Sequence, residues 1–138
     1  MPTTAGYSGT PLWKKLGYRD GTAAWVEEAP AGYEELLGLP AEVAVTRLAR
    51  PARGLAFVHL FATRAARLQA RLASFRAALD PAGVIWVSWP KRSAGVPTDI
   101  TEDVIGDVAL PMGLVDIKVC AVDAVWSGLK LVIRKELR

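Results

Sequence analysis

Two apolar segments constrain the fold of this chain more than any other feature. Residues 55–62 and 84–89 are hydrophobic at both odd and even positions, apart from His59 and Ser88. A strand covered by protein on one face alternates between apolar and polar residues, whereas a strand covered on both faces does not. We therefore predict that both segments are central strands of a sheet with helices on both faces.

The segment between these two strands has the periodicity of an amphipathic helix. Leu68, Leu72, Phe75 and Leu79 lie at i, i+4, i+7 and i+11, which places them on one helix face. Thr63 is the predicted N-cap of this helix. A strand, a helix and a second strand form the unit from which parallel sheets are built.

The first third of the chain predicts shorter elements. A helix begins at Pro11 and ends before Gly17, a strand covers residues 22–28, and a helix covers residues 33–37. The alternation of residues 43–48 predicts a second strand. Residues 49–54 are too few, however, for the crossover that would connect it in parallel to the strand at 55–62. This strand is therefore antiparallel, very short or absent. Thr98 and Asp99 are predicted to open a further helix, with Ile100 and the apolar positions after it buried.

The end of the chain predicts a hairpin. Strands at residues 115–122 and 129–135 are joined by a turn at Ser127 and Gly128, which pairs Trp126 with Leu129 on an apolar face. The predicted fold is a single Rossmann-like α/β domain over residues 11–138, with a mostly parallel sheet, helices on both faces and this C-terminal antiparallel hairpin. Residues 1–10 are predicted to be a flexible arm.

Composition excludes several classes of function. The 17 basic and 14 acidic residues give a net charge of +3, too mild to indicate a nucleic acid or an anionic membrane. One cysteine and one histidine exclude an intrachain disulfide and paired-histidine metal sites. No signal peptide or membrane span is indicated, so we expect a cytoplasmic protein.

The basic residues are concentrated in the middle of the chain. No acidic residue occurs between Glu42 and Asp80. Seven arginines fall in that stretch: Arg47, Arg50, Arg53, Arg64, Arg67, Arg71 and Arg76. Arginine-rich coding is the simpler explanation, and an acidic partner is the alternative.

Polar residues gather at the carboxyl end of the predicted strand 84–89, where open α/β sheets bind ligands. Lys91 would bind an anionic group, with Ser88 and Thr98 as neutral partners and Glu28 facing them from the first strand. The candidate ligand site consists of Glu28, Ser88, Trp89, Lys91, Arg92, Ser93 and Thr98. An ordered loop without a ligand is the competing interpretation. For His59 and Cys120 we favour core roles over a general base and a reactive thiol.

Residues 86–91, 98–103, 114–123 and 125–129 resemble a family of short bacterial proteins known as a domain of unknown function. That resemblance implies no activity, cofactor or catalytic residue. A more distant similarity to class I methyltransferases, which bind S-adenosylmethionine (SAM), rests on the order of elements alone and implies a truncated form of their Rossmann-like fold. A Rossmann-type nucleotide site has several glycines in the loop after its first strand. The corresponding loop here has one glycine, Gly32, and Pro30 removes a backbone donor.

Three functions remain open at this point. The leading hypothesis is that the protein binds a small ligand or a protein partner without catalysing a reaction. Under this hypothesis we expect no enzymatic activity. The alternatives are a divergent SAM-dependent transferase and weak binding of nucleic acid or an acidic partner through the arginine-rich segment, with nucleic acid the less favoured of these partners. A homodimer contact is predicted along a row of small residues on the helix after residue 64: Ala66, Ala70, Ala73 and Ala77.

Overall fold

A six-stranded sheet runs through the computed structural model, which describes residues 9–50 and 52–138. The predicted arm, residues 1–10, lies almost entirely outside the described residues, so its flexibility stays a prediction. The helices and strands are α1 (Leu12–Leu16), β1 (Ala23–Glu27), α2 (Tyr33–Leu37), β2 (Thr46–Arg47), β3 (Leu55–Phe61), α3 (Ala65–Ala78), β4 (Leu79–Pro90), α4 (Glu102–Ala109), β5 (Leu114–Ala121) and β6 (Trp126–Ile133).

The strands lie in the order β2-β1-β3-β4-β6-β5. The pairs from β2 to β4 are parallel, and β6 is antiparallel to both of its neighbours. The predicted fold class is therefore confirmed: the sheet is mostly parallel, β3 and β4 are central, and the chain ends in an antiparallel hairpin.

The strand that the sequence left open, β2, is very short and parallel to β1. It contains Thr46 and Arg47, which pair with Ala23 and Ala24 at the beginning of β1. Because β2 stays at the amino end of the sheet, the chain needs only a short link to reach the beginning of β3. No helical crossover is required.

Helices cover both faces of the sheet, as predicted. On the face covered by α3 and α4, the core includes the predicted stripe of Leu68, Leu72 and Phe75, which are 0%, 0% and 2% exposed. On the face covered by α1 and α2, Leu16 and Trp86 are fully buried, and the Trp86 indole Nε1 donates to the Leu16 carbonyl at 2.7 Å. We refer to these as the α3/α4 face and the α1/α2 face.

The cap of α3 differs from the prediction. The side chain of Thr63 makes no cap; instead Asp99 Oδ1 accepts a hydrogen bond from the Ala65 amide at 2.7 Å. The Thr63 carbonyl accepts from Thr98 Oγ1 at 2.7 Å. The loop before α4 therefore satisfies the amino end of α3 from 34 residues away.

The start of α4 also differs from the prediction. The helix begins at Glu102, and its N-cap is Thr101, whose Oγ1 accepts from the Val104 amide at 3.2 Å. Thr98 and Asp99 precede the helix because both are engaged at the start of α3. Ile100 is nevertheless buried, as predicted, at 2% exposure.

The predicted hairpin register is wrong. The turn lies at residues 122–125, so Lys118 pairs with Lys130 and Val119 with Leu129. Asp123 Oδ1 accepts from the amides of Val125 and Trp126 at 2.8 and 2.7 Å, which closes the turn locally.

Gly128, which the sequence interpretation assigned to the turn, lies inside β6. A Cβ there would lie 3.3 Å from the Trp86 ring and 3.2 Å from Val122. The absence of a Cβ leaves room for the Trp86 ring of β4, so this glycine serves packing between strands and not a reversal of the chain. This is why the Ser127–Gly128 pair gave a misleading turn signal.

The outer side of α3 presents its alanines to solvent. Ala66, Ala70, Ala73 and Ala77 are all exposed. The homodimer contact through them stays a prediction. Among the described residues no helix has the length and apolar character needed to cross a membrane.

Candidate functional site

The carboxyl ends of β1, β3 and β4 meet at one edge of the sheet. Glu27 pairs with Leu60, and Phe61 pairs with Ser88, so the three strands end side by side. Open α/β sheets bind their ligands at this kind of edge. Two depressions lie there, and they divide the residues that the sequence had grouped.

The first depression, which we call the β1/β3 cleft, has a volume of about 280 Å³. It follows the ends of β1 and β3 and reaches the start of β6. Its lining residues are Glu28, Phe61, Ala62, Thr63, Arg64, Arg67 and Trp126.

The cleft combines a carboxylate, arginines and an aromatic pair. The Glu28 side chain is 60% exposed, and its Oε2 lies 3.5 Å from Arg67 Nη2. The rings of Phe61 and Trp126 meet edge to face, with centroids 5.2 Å apart. Glu28 is also the non-glycine residue with positive φ (58°) in the described part of the chain, which fixes the direction in which β1 exits.

The neighbouring carboxylate, Glu27, is committed to an internal ion pair. Arg71 donates from Nε and Nη2 to its two oxygens at 2.6 and 2.8 Å. Burial raises the pKa of Glu27, but the hydrogen bonds from Arg71 and Trp25, with the charges of Arg71 and Arg67, hold it below its ordinary value. Of the two acids that end β1, only Glu28 has an accessible carboxylate.

The second depression, which we call the loop groove, has a volume of about 510 Å³. It lies between the end of β4 and the start of α4. Its lining residues are Trp89, Pro90, Arg92, Gly95, Val96, Pro97, Thr98, Ile100, Thr101 and Glu102.

The structure separates the residues of the predicted site. Trp89, Arg92 and Thr98 line the loop groove, whereas Glu28 lines the β1/β3 cleft. Ser93 is exposed on the 3-10 turn Arg92–Ala94 and lines neither depression. The binding of a ligand by these side chains stays a prediction.

The two residues given the main polar roles each make a hydrogen bond within the protein. The Lys91 ammonium donates to the Asp123 carbonyl at 2.7 Å, which ties the end of β4 to the hairpin turn. The Ser88 hydroxyl is fully buried and lies 2.8 Å from His59 Nε2. Both side chains therefore stabilise the edge on which the two depressions are built.

A chain of four buried polar side chains crosses the α1/α2 face. The hydroxyls of Tyr18 and Tyr33 lie 2.8 Å apart, Tyr33 Oη lies 2.7 Å from His59 Nδ1, and His59 Nε2 reaches Ser88. We call this the Tyr–Tyr–His–Ser chain. Burial lowers the pKa of His59 to about 3, so the imidazole is neutral at physiological pH. The core role that the sequence favoured for His59 is the one seen here.

The arginine-rich segment is partly neutralised by its own chain. Arg47 pairs with Glu34 and Arg71 with Glu27, whereas Arg76 donates from Nε to the Met112 carbonyl at 2.9 Å, which adds no negative charge. Arg67 lies close to both acids at the end of β1. The charge asymmetry of the sequence is therefore weaker in three dimensions than along the chain.

Comparison with solved structures identifies the class of fold. A SAM dependent methyltransferase from Aquifex aeolicus is 15% identical with a TM-score of 0.61, and the match covers 88% of each chain. The magnesium protoporphyrin IX methyltransferase ChlM from Synechocystis PCC 6803 with bound SAM is 9% identical with a TM-score of 0.55, covering 88% of this chain and 74% of that one. LepI in complex with SAM is 13% identical with a TM-score of 0.54; the match covers 91% of this chain but only 47% of that one.

Identities this low show the fold alone. The chain has the Rossmann-like α/β fold of SAM-dependent methyltransferases, which confirms the distant similarity inferred from the order of elements. No protein-family model and no curated protein matches the chain, so the resemblance to the short bacterial family stays a prediction.

Sequence reasoning missed most of the β1/β3 cleft. Thr63 and Arg64 follow β3, and Ser88 lies close to the end of β4, so the rule that selected Ser88 also applies to them. Arg67 is one turn further along α3. Trp126 could not be identified as a cleft residue, because the predicted turn at Ser127 and Gly128 placed it at the end of the hairpin. In the structure it pairs with Pro90 of β4.

Proposed function

We propose that this protein is a divergent SAM-dependent transferase that binds SAM in the β1/β3 cleft. The observation that carries this proposal is the coincidence of two features. The sheet has the methyltransferase-type fold, and the carboxyl ends of β1 and β3 border a cleft with an accessible carboxylate and an aromatic pair.

The side chains of the cleft fit the parts of SAM. The Glu28 carboxylate is suited to accept from ribose hydroxyls, and the half-buried Trp126, packed against the buried Phe61, offers aromatic surface to the adenine ring. Arg64 or Arg67 would pair with the carboxylate of the amino-acid part. The cleft is slightly smaller than the usual range for ligand sites, which begins at about 300 Å³.

The loop after β1 contributes less than in a glycine-rich nucleotide site. Between Glu28 and Tyr33 it has one glycine, Gly32, and Pro30 lacks an amide hydrogen. Recognition would therefore rest on side chains, and Glu28 has the largest share of it.

The loop groove supplies a place for the acceptor. The Thr98 hydroxyl donates to the Thr63 carbonyl, so the wall of the groove is joined to the wall of the cleft. Bound SAM supplies an electrophilic methyl group to a nucleophile on the acceptor. The chain's own residues would hold the acceptor in line and keep the two sites at a fixed separation.

The transferase replaces non-catalytic binding as the preferred hypothesis. The fold neighbours include methyltransferases and a SAM complex, which supports the former alternative over the former leading hypothesis. A protein partner or a nucleic acid has no comparable support from the described residues.

Calorimetric titration with SAM tests the binding step, with the variant Glu28→Gln. Loss of a charge-assisted hydrogen bond should weaken binding by about 10-fold or more, while Glu42→Gln, an exposed carboxylate away from the cleft, should bind as the wild type does. Absence of binding at about 1 mM SAM would refute the proposal. Equal affinity of the wild type and Glu28→Gln would refute the assignment of Glu28.

Release of S-adenosylhomocysteine tests the transfer step. Protein that binds SAM is incubated with a pool of low-molecular-weight acceptors, and the product is measured by mass spectrometry. Release above that of a heat-inactivated control supports a transferase. Binding without release from any pool would return the protein to the non-catalytic class.

A further inference from the structure

A third depression lies at the opposite end of the strands, and the proposed transferase function does not use it. We call it the amino-edge groove; its volume is about 470 Å³. It opens between the turn after α1, the beginnings of β1 and β3, and the paired strands β4 and β6. Its lining residues are Leu16, Gly17, Arg19, Asp20, Gly21, Thr22, Ala23, Ala56, Phe57, Ala82, Val84 and Lys130.

Basic side chains gather at this groove and form no ion pairs there among the described residues. Lys130 is half-buried in β6, and Lys118 of β5 is its direct cross-strand neighbour. Like charges at directly opposite positions destabilise a sheet. In the described part of the chain, no carboxylate lies within ion-pair distance of Lys130, Lys118 or Arg19.

The surroundings of Lys130 disfavour its charge from several sides. Burial lowers its pKa below the ordinary value, and the charges of Lys118 and Arg19 lower it further. One acid, Asp20, also lines the groove; its Oδ1 accepts from the Ala44 amide at 2.8 Å, and it forms no ion pair with these cations. The Lys118 ammonium donates to the Lys15 carbonyl at 3.3 Å, which adds no negative charge.

We propose that the amino-edge groove binds a small molecule that carries a phosphate group. Lys130 and Arg19 contact the phosphate oxygens, and Lys118 adds positive charge behind Lys130. A multiply charged anion compensates several cations at once, and the arginine fork matches phosphate geometry. This explains why a sheet would keep two lysines directly opposite each other.

The apolar part of the groove indicates that the ligand is organic. The half-buried Val84 and the exposed Ala23, Ala56 and Ala82 line it beside the cations, so a bare inorganic ion would leave part of the wall without contact. The ligand is therefore a phosphate ester whose remaining part is apolar or aromatic. The groove is distinct from the β1/β3 cleft because it lies at the amino ends of the same strands.

The first experiment measures thermal stability with and without pyrophosphate, at ionic strength matched with sodium chloride. Pyrophosphate should raise the melting temperature of the wild type, and Lys130→Gln and Arg19→Gln should lose most of that shift. Lys135→Gln, which removes the same charge from an exposed turn outside the groove, should retain it. No shift in the wild type beyond that of chloride, or an equal shift in Lys130→Gln, would overturn the proposal.

Two further measurements exclude a trivial loss of fold and locate the ligand. Without anion, Lys130→Gln should melt no lower than the wild type, because its repulsion with Lys118 is removed; a lower melting temperature would contradict the like-charge argument. In amide NMR spectra, pyrophosphate should shift residues 17–22 and Lys130. Shifts confined to the carboxyl edge would overturn the location.

A comparison of phenyl phosphate with inorganic phosphate tests the organic part. Contact with Val84 and the exposed alanines of the groove should make phenyl phosphate bind more tightly than inorganic phosphate, by about 3-fold or more. Equal affinity of the two compounds would show that the groove recognises the anion alone and would overturn the assignment to an ester.

Discussion

The two faces of the sheet are built from the same strands but are stabilised differently. The α3/α4 face is a continuous apolar core, with Val58 and Leu60 of β3 packed under Leu72 of α3. The α1/α2 face carries both of the fully buried polar side chains in the described part of the chain, His59 and Ser88. Successive residues of β3 thus contribute to a dry core on one face and to a hydrogen-bonded core on the other.

This difference separates two kinds of stability. On the apolar face the cost of a substitution depends on the volume removed and on how far the neighbours relax. On the polar face the cost depends on whether the remaining members of the Tyr–Tyr–His–Ser chain keep their partners, since every buried side-chain polar atom of the described residues has one.

The largest effect is expected on the apolar face. Leu72 is 0% exposed at the centre of the α3 stripe, so Leu72→Ala should lower the free energy of unfolding by about 2–5 kcal/mol. Urea unfolding measures the loss, and Ala70→Ser on the exposed side of the same helix serves as the control. A loss below about 1 kcal/mol would show that the stripe does not form a tightly packed core.

The second-largest effect is a dependence of stability on pH that arises from the α1/α2 face. His59, the single histidine of the chain, has a pKa of about 3 in the folded state against an ordinary value of 6.5. The unfolded state therefore binds the extra proton between these values, and stability falls as the pH drops below about 6.5, by up to about 1.4 kcal/mol per pH unit. Above that pH His59 contributes no pH dependence.

Urea unfolding between pH 7 and pH 4.5 measures this slope, and His59→Gln is the matched variant that does not titrate. Glu27 and Glu34 have pKa values below the ordinary 4.5, so their own acid effect begins only as the pH falls through the carboxylate range. A His59→Gln protein with the same slope as the wild type would show that the imidazole is accessible to protons in the fold.

Removal of a single hydroxyl from the α1/α2 face should lower the stability about as much as a moderate cavity in the apolar core would. Tyr33→Phe removes the group that joins Tyr18 to His59, so it should lower stability by about 1–3 kcal/mol. Tyr18→Phe, at the end of the chain of hydrogen bonds, should cost less. Equal losses for the two variants would contradict the linking position of the Tyr33 hydroxyl, which makes two hydrogen bonds where that of Tyr18 makes one.

The smallest effect is expected on the outer side of α3, beyond the apolar core. Ala73 is exposed, so Ala73→Arg should change the stability of a monomer by no more than about 0.5 kcal/mol. If the predicted homodimer contact exists, light scattering finds a dimer for the wild type at tens of micromolar and a monomer for this variant. A monomeric wild type would contradict the predicted contact.

The central strands and the helix between them were predictable because their signal is local. The apolar residues of both parities at 55–62 and 84–89 allow only strands covered on both faces. The stripe of Leu68, Leu72 and Phe75 follows from the helical repeat alone. The burial of both faces of the sheet, and the order of these strands and this helix along the chain, could therefore be inferred without coordinates.

The site was less predictable because neighbours along the chain separate in space. Ser88 lies near the end of a central strand and Lys91 follows that strand, as ligand-binding residues do, but the fold uses both for internal hydrogen bonds. Their partners, His59 and Asp123, are 29 and 32 residues away. No local pattern reports whether a polar side chain already has a partner.

The sequence by itself determined which segments form strands and helices and which faces are buried, because burial periodicity is set by residues close together in the chain. Only the tertiary structure decided the position of the hairpin turn, since Gly128 packs against the distant Trp86 ring inside β6 instead of reversing the chain. The same is true of the cap of α3 by Asp99 and of the opposition of Lys118 and Lys130. These features depend on contacts between elements, and a contact between elements has no signature in either of the segments that make it.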